Sequence, residues 1–142
     1  MTQTSSAQAH IDVLLVEDNP GDARLVRELL NDTAPGMFHL DTSGSVSEAK
    51  EVLAAGRRDV VLLDLTLPDS TGLDTFRKIA ACISPKRIIV LTGVEDGAVE
   101  KELMAAGAFD YLPKRHLEGN LLWRIIRNTL NTDGGHFAGG RP

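Results

Sequence analysis

Asp59-Val-Val-Leu-Leu-Asp-Leu-Thr-Leu-Pro-Asp-Ser-Thr-Gly72 is the stretch whose reading decides the fold. Val60 to Leu63 is an unbroken apolar run, the pattern of a strand buried on both faces of a parallel sheet. The run stops on a carboxylate, Asp64, and Pro68 and Gly72 then punctuate a loop ahead of a helical pattern. In an open α/β sheet, ligands and chemistry collect beyond the carboxyl ends of the strands. Asp64 therefore stands at the functional edge. A lone strand-end aspartate more often makes a turn or a cap, so its weight depends on what the other strand ends carry.

Upstream, Ile11 to Val16 is a nearly all-aliphatic first strand ending in the acidic turn Glu17-Asp18-Asn19-Pro20-Gly21. A first helix is expected over about Gly21 to Asn31, with Leu25, Val26, Leu29 and Leu30 on one face. Phe38 to Thr42 alternates weakly, as an edge strand does. Ser45-Val-Ser-Glu48 reads as a capping box opening a second helix that stops at Gly56. Downstream, Leu73, Phe76, Ile79 and Ala80 mark a third helix running to about Cys82. Arg87 to Thr92 is a fourth strand ending in Thr92-Gly93. A fourth helix over about Glu95 to Ala106 has a thin apolar face of Val99, Leu103 and Met104. Ala108 to Leu112 is a short fifth strand leading into Pro113-Lys114, and a fifth helix runs from about Leu117 to Asn131.

Five strands alternating with five helices predict an α/β fold: a doubly wound, flavodoxin-like (βα)5 parallel sheet of order 2-1-3-4-5. The expected domain is residues 10–131. Residues 1–9 read as a disordered arm, and 132–142 as a flexible, glycine-rich tail.

The 142 residues suit one domain with a real core, and 42% hydrophobic with 25% charged residues is ordinary for a globular protein. A formal net charge of −5 offers no basic field for nucleic acid or an anionic membrane. No apolar run approaches a membrane span, and no signal segment opens the chain. The single cysteine, Cys82, excludes an internal disulfide and reads as a small buried hydrophobe. A cytoplasmic location is expected.

The most apolar strands end on Glu17-Asp18, Asp64, Thr92 and, one residue past Pro113, Lys114. A parallel sheet brings all of them to one edge. Three carboxylates there repel one another and need a cation to stay ionised together. Hard carboxylate oxygens beside water suit Mg²⁺. The histidines are scattered without ligand spacing, which argues against an imidazole-bound metal. A carboxylate, a divalent cation, a hydroxyl and an ammonium together are what phosphoryl transfer to an aspartate requires. Gly93 leaves space for the donor.

These residues resemble the response-regulator receiver domain of two-component signalling, over about Ile11 to Leu130. The matching stretches are Leu14-Leu-Val-Glu-Asp-Asn19, Leu63-Asp-Leu-Thr-Leu-Pro-Asp-Ser-Thr-Gly72, Val90-Leu-Thr-Gly93 and Gly107-Ala-Phe-Asp-Tyr-Leu-Pro-Lys114. Four motifs in order at the right strand ends make the resemblance specific. It implies that Asp64 is the phosphoacceptor and that Asp18 binds Mg²⁺ directly. It further implies that Glu17 acts through a water and that the Thr66 carbonyl completes the metal shell. Thr92 and Lys114 would sense the phosphate, and Tyr111 would be the switch aromatic, entering space that Thr92 vacates. The implied donor is a sensor histidine kinase or a phosphotransfer protein.

The chain departs from the family pattern in two places. Its acid pair is Glu17-Asp18 rather than Asp-Asp. Lys114 is followed by Arg115, where the family has a proline joined by a cis bond, so a trans link with a reshaped loop, or a strained one, is expected.

Two rivals share parts of the pattern. A Mg²⁺-dependent phosphatase of the haloacid-dehalogenase type resembles this site but carries a second aspartate where Thr66 stands. A flavodoxin-like cofactor binder needs a Ser/Thr/Gly-rich phosphate loop where this chain has Glu17 and Asp18. With no DNA-binding, cyclase or kinase segment after residue 131, output is expected through a downstream protein target, or as a phosphate sink or relay, rather than as an enzyme. On the fifth helix, the apolar residues spread too widely for one sheet-facing stripe. Trp123 and Leu130 are therefore expected near its edge and partly exposed. There they would anchor a homodimer or partner contact on the face formed by helix 4, strand 5 and helix 5.

Overall fold

Strand β1, Ile11–Val16, lies one strand in from the edge of a five-stranded sheet in a computed structural model that describes residues 10–132. It pairs in parallel with β2 (Phe38–Ser43) on one side and β3 (Val60–Asp64) on the other. β3 pairs with β4 (Ile88–Thr92), and β4 with β5 (Asp110–Pro113), all parallel. The order is β2-β1-β3-β4-β5, as the alternation of elements requires. The expected arm at 1–9 and most of the expected tail at 132–142 lie outside the described residues; position 132 closes the last helix.

The continuous apolar runs divide by parity, because successive side chains leave a strand on opposite faces. Val13, Leu15, Val60, Leu62, Ile89 and Leu91 face one core. Leu14, Val16, Val61, Leu63, Ile88 and Val90 face the other. The first core is closed by α1 (Pro20–Thr33) and α5 (Gly119–Thr132). The second is closed by α2 (Val46–Ala55), α3 (Leu73–Ala80) and α4 (Gly97–Ala105). None of the described helices is long and apolar enough to cross a membrane.

Local chemistry sets the helix starts. Asn19 caps α1 by accepting the Asp22 N–H at 2.9 Å, with Pro20 at the first helical position. Ser45 caps α2 by accepting the Glu48 N–H at 3.1 Å. The return arm of the capping box differs from expectation, for Glu48 Oε1 accepts from Gly44 N–H at 2.6 Å. The N–H groups of Val46 and Ser47 are instead taken by the carboxylate of Asp69, both at 3.0 Å. Gly72 opens α3 at φ 70°, a left-handed value at which a β-carbon is strained.

Two expectations need correction. Cys82 is exposed, because α3 ends at Ala80 and leaves the cysteine in the following turn. Trp123 is buried, only 9% exposed, in the core beneath α1 and α5. Its ring meets that of Phe38 on β2 at 6.1 Å between centroids, tilted 53°. At about 100° per residue, Gly119 and Trp123 fall on the same flank of α5. A β-carbon on Gly119 would strike Thr33 and Leu29 of α1. That flank thus faces α1 and β2, away from α4. Leu130 lies half-buried on the same side, against the same core. Trp123 is a core residue and not an anchor on the α4–β5–α5 face.

Candidate functional site

The register of the sheet brings the strand ends together. Val16 pairs with Leu63, Asp64 with Leu91, and Thr92 with Pro113. Glu17, Asp64, Thr92 and Lys114 therefore fall within a residue or two of one another along the carboxyl edge. Parity then divides them. Asp64 continues the β3 positions Val60 and Leu62, and Lys114 follows Leu112, so both belong to the α1 side of the sheet. Thr92 follows Val90 and shares its face with Tyr111.

Lys114 is the hub of the first group. Its ammonium lies 2.6 Å from Glu17 Oε1, 2.8 Å from Asp22 Oδ2 and 3.1 Å from Asp64 Oδ2. Burial works against its charge. The hydrogen bonds to Asp22 and Glu17 and the negative charge of Asp64 nevertheless hold its pKa well above the ordinary lysine value. Glu17 is buried, and that burial pushes its carboxyl above the ordinary range, with Asp64 adding to the shift. Lys114 and the Asn19 N–H, which donates to Glu17 Oε2 at 3.1 Å, oppose the rise. Asp64 is buried as well, and its Oδ1 accepts the Thr66 N–H at 3.1 Å.

Asp18, by contrast, is exposed at the rim. Glu17, Asp18 and Asp64 each present a carboxylate oxygen, all within 4.8 Å of one another. One ammonium shared among such a group leaves the edge strongly anionic. Hard oxygens with one open, water-facing member fit a small divalent cation such as Mg²⁺. Thr66 sits directly beyond Asp64, its side chain exposed, so its main chain rather than its hydroxyl adjoins the carboxylates.

On the other face, the Thr92 hydroxyl does not reach toward Asp64. It donates to the Val94 carbonyl at 2.7 Å and accepts the Val94 N–H at 3.1 Å. Tyr111 is already buried. Its hydroxyl donates to the same carbonyl at 3.3 Å and accepts the Asp96 N–H at 3.2 Å. The Tyr111 ring is thus inward in the unphosphorylated arrangement, with the Thr92 hydroxyl bonded to Val94 rather than turned to Asp64.

The chain solves the missing proline after Lys114 without a cis bond, since every peptide link among the described residues is trans. Lys114–His116 form a single 3₁₀ turn closed by the Leu117 N–H on the Lys114 carbonyl at 3.2 Å. The lysine still reaches Asp64.

Sequence reasoning missed Asp22. The signal was available in the topology, because the first turn of a helix after a parallel strand lies over the strand's own carboxyl end. Asp22 occupies that turn and meets Lys114 across 92 residues of sequence.

Comparison with known proteins gives one consistent result. A family described as the response regulator receiver domain matches residues 13–126. The chain is 39% identical over 105 residues to the response regulator protein PilR of Pseudomonas aeruginosa, covering 71% of this chain and 22% of PilR. It is 30% identical over 118 residues to the DNA-binding transcriptional activator DevR/DosR of Mycobacterium tuberculosis, covering 83% and 54%. The chain thus spans about half or less of these curated relatives. A receiver domain crystal structure from Clostridium thermocellum superposes with a TM-score of 0.74 at 27% identity, covering 87% of this chain and 97% of that one.

Proposed function

Because this chain belongs to the response regulator receiver domain family, a signalling domain, we propose that Asp64 is its phosphoacceptor. The observation that carries this reading is the contact of Lys114 Nζ with Asp64 Oδ2 at 3.1 Å, beside the Glu17–Asp18–Asp64 carboxylates. An Asp64 oxygen attacks phosphorus of a phosphohistidine or a small acyl phosphate. The donor's P–N or P–O bond breaks, and the leaving imidazole or carboxylate takes the electron pair. The product is an aspartyl phosphate. Lys114 supplies fixed positive charge to the phosphoryl oxygens as they turn away from the donor.

Glu17, Asp18 and Asp64, with the main chain at Thr66, would hold Mg²⁺. Bound there, the ion neutralises the like charges that otherwise keep an anionic donor out. Asp18, the exposed member, would bind the ion directly, and Glu17, tied to Lys114 and Asn19, would act through a water. Thr92 is the hydroxyl that turns toward the phosphoryl group, and Tyr111 senses the change through Val94.

The donor is a sensor histidine kinase or a phosphotransfer protein, and the setting is cytoplasmic. The domain itself contacts proteins, consistent with a net charge of −5. The relatives include a DNA-binding activator, so DNA contact, where it occurs in such proteins, is assigned to parts outside this domain.

The test is direct labelling. Acetyl phosphate with Mg²⁺ should add one phosphoryl group, seen as a single mass increment, and Asp64→Asn should add none. A fully labelled Asp64→Asn protein, with the group on another residue, sinks the assignment.

A further inference from the structure

The Lys114 ammonium has three N–H bonds to give, and three carboxylates take them: Glu17 at 2.6 Å, Asp22 at 2.8 Å and Asp64 at 3.1 Å. The partners differ in their access to water. The Glu17 and Asp64 side chains are 1% and 9% exposed, against 43% for Asp22. Asp22 is also the partner presented from a helix, its N–H fixed on Asn19 Oδ1 at 2.9 Å in the first turn of α1. Its carboxylate therefore approaches the lysine from a rigid support on the open side of the site.

A phosphoryl group on Asp64 introduces new, strongly accepting oxygens. Forming the acyl phosphate removes the charge of the Asp64 carboxylate, so the N–H it held passes to one phosphoryl oxygen. A second phosphoryl oxygen finds no free N–H, and for it another partner has to be released. Glu17 is enclosed, and a buried carboxylate stripped of its cation is costly. Asp22 alone returns to water at small cost.

We infer that Asp22 is a positioning residue that holds Lys114 in the resting site and is the partner exchanged for a phosphoryl oxygen when Asp64 is phosphorylated. The inference rests on the reading of Asp64 as the phosphoacceptor. Asp22 then sets the balance between the resting and phosphorylated states, competing with the phosphoryl group for the same ammonium. Its negative charge at the open side also opposes an incoming anionic donor.

The experiment compares the full chain with Asp22→Asn, which preserves shape and the helical turn, and with Asp22→Ala. Phosphorylation uses acetyl phosphate with Mg²⁺. Both variants should lower the half-saturating acetyl phosphate concentration and lengthen the lifetime of the label, each by roughly fivefold, the upper scale of a half-exposed ion pair. A second readout follows the side-chain ¹⁵N resonance of Lys114. It should differ between wild type and Asp22→Asn at rest, and the two should converge once Asp64 is phosphorylated. A difference that persists after phosphorylation means Asp22 is never released and overturns the proposal. Unchanged kinetics in both variants overturns it too. Failure of the wild-type chain to take up label is a separate result: it overturns the phosphoacceptor reading and this inference with it.

Discussion

The hydroxyls of Thr92 and Tyr111 converge on one acceptor, the carbonyl of Val94, at 2.7 and 3.3 Å. A threonine hydroxyl has a single proton to give. If Thr92 turns to a phosphoryl oxygen it has to leave that carbonyl, and Tyr111 keeps it alone. Thr92→Val retains the shape and removes the proton, so Asp64 should still accept phosphate while the response at Tyr111 is lost. Tyr111 is the one tyrosine of the chain, and fluorotyrosine labelling gives one ¹⁹F signal. That signal should move on phosphorylation in the wild type and stay in place in Thr92→Val. An equal movement in the variant defeats the Val94 route.

The residues legible in the sequence are those that stand at the carboxyl ends of the strands. Asp64, Asp18, Thr92 and Lys114 each terminate an apolar run or follow directly from one, and a parallel sheet has only one edge where such ends can meet. The residues that were not legible depend on which helix face meets which neighbour. Asp22 finds Lys114 92 residues away, and Asp69 finds the start of α2 across 23 and 22 residues. Nothing in local periodicity encodes either contact. The apolar arc on α5 is wide, and an arc has two flanks. The approach of α1 to Gly119 and the contact of the Phe38 ring place Trp123 on the buried one.

Asp69 makes the loop after β3 dependent on pH. The Val46 and Ser47 N–H groups hold its carboxyl below the ordinary value of 3.8. A depressed carboxylate contributes stability that is fully present above the ordinary value and is lost as pH falls through the lower folded value. Wild type should therefore exceed Asp69→Asn in urea midpoint at pH 5. The gap should shrink below pH 3.8 and close in stronger acid. A gap that widens on acidification contradicts the assigned sign.

Gly119 is where α5 comes down on α1. A β-carbon there would collide with the Thr33 hydroxyl, and it would lie 2.7 Å from the Leu29 carbonyl oxygen, which is backbone and cannot rotate away. Alanine is ordinarily the better helix former, by about 1 kcal/mol in an exposed helix interior and by less at a first helical position such as this one. Here overpacking should win, with a loss of ~1–3 kcal/mol in urea denaturation. A more stable Gly119→Ala protein refutes the close approach.

Removing the metal should silence the site rather than unfold the chain. Chelation leaves Glu17, Asp18 and Asp64 with Lys114 as the nearby counter-charge, so acetyl phosphate should no longer label Asp64 while circular dichroism stays constant. Asp18→Asn removes the exposed ligand and should raise the half-saturating Mg²⁺ concentration by roughly tenfold or more. Labelling that proceeds unchanged in excess chelator counts against Mg²⁺ at these carboxylates.

Trp123 offers a choice between core and interface that one variant decides. The ring is enclosed by α1, α5 and β2 and tilts against Phe38 at 6.1 Å. An aromatic pair of this geometry adds ~0.5–1.5 kcal/mol beyond its buried area, and deleting a buried tryptophan costs about 3–5 kcal/mol. Trp123→Ala should therefore lower the urea midpoint strongly, while Trp123→Phe, which keeps a ring against Phe38, should lose less. Sedimentation of the folded fraction should match wild type in both, because the substituted side chain faces inward. Trp123 is the one tryptophan of the chain, so Phe38→Leu can be followed by its fluorescence, which should shift as the ring gains access to water. A Trp123→Ala protein with a near-wild-type midpoint but weakened self-association would return the residue to the surface, and the packing of α5 against α1 would have to be redrawn.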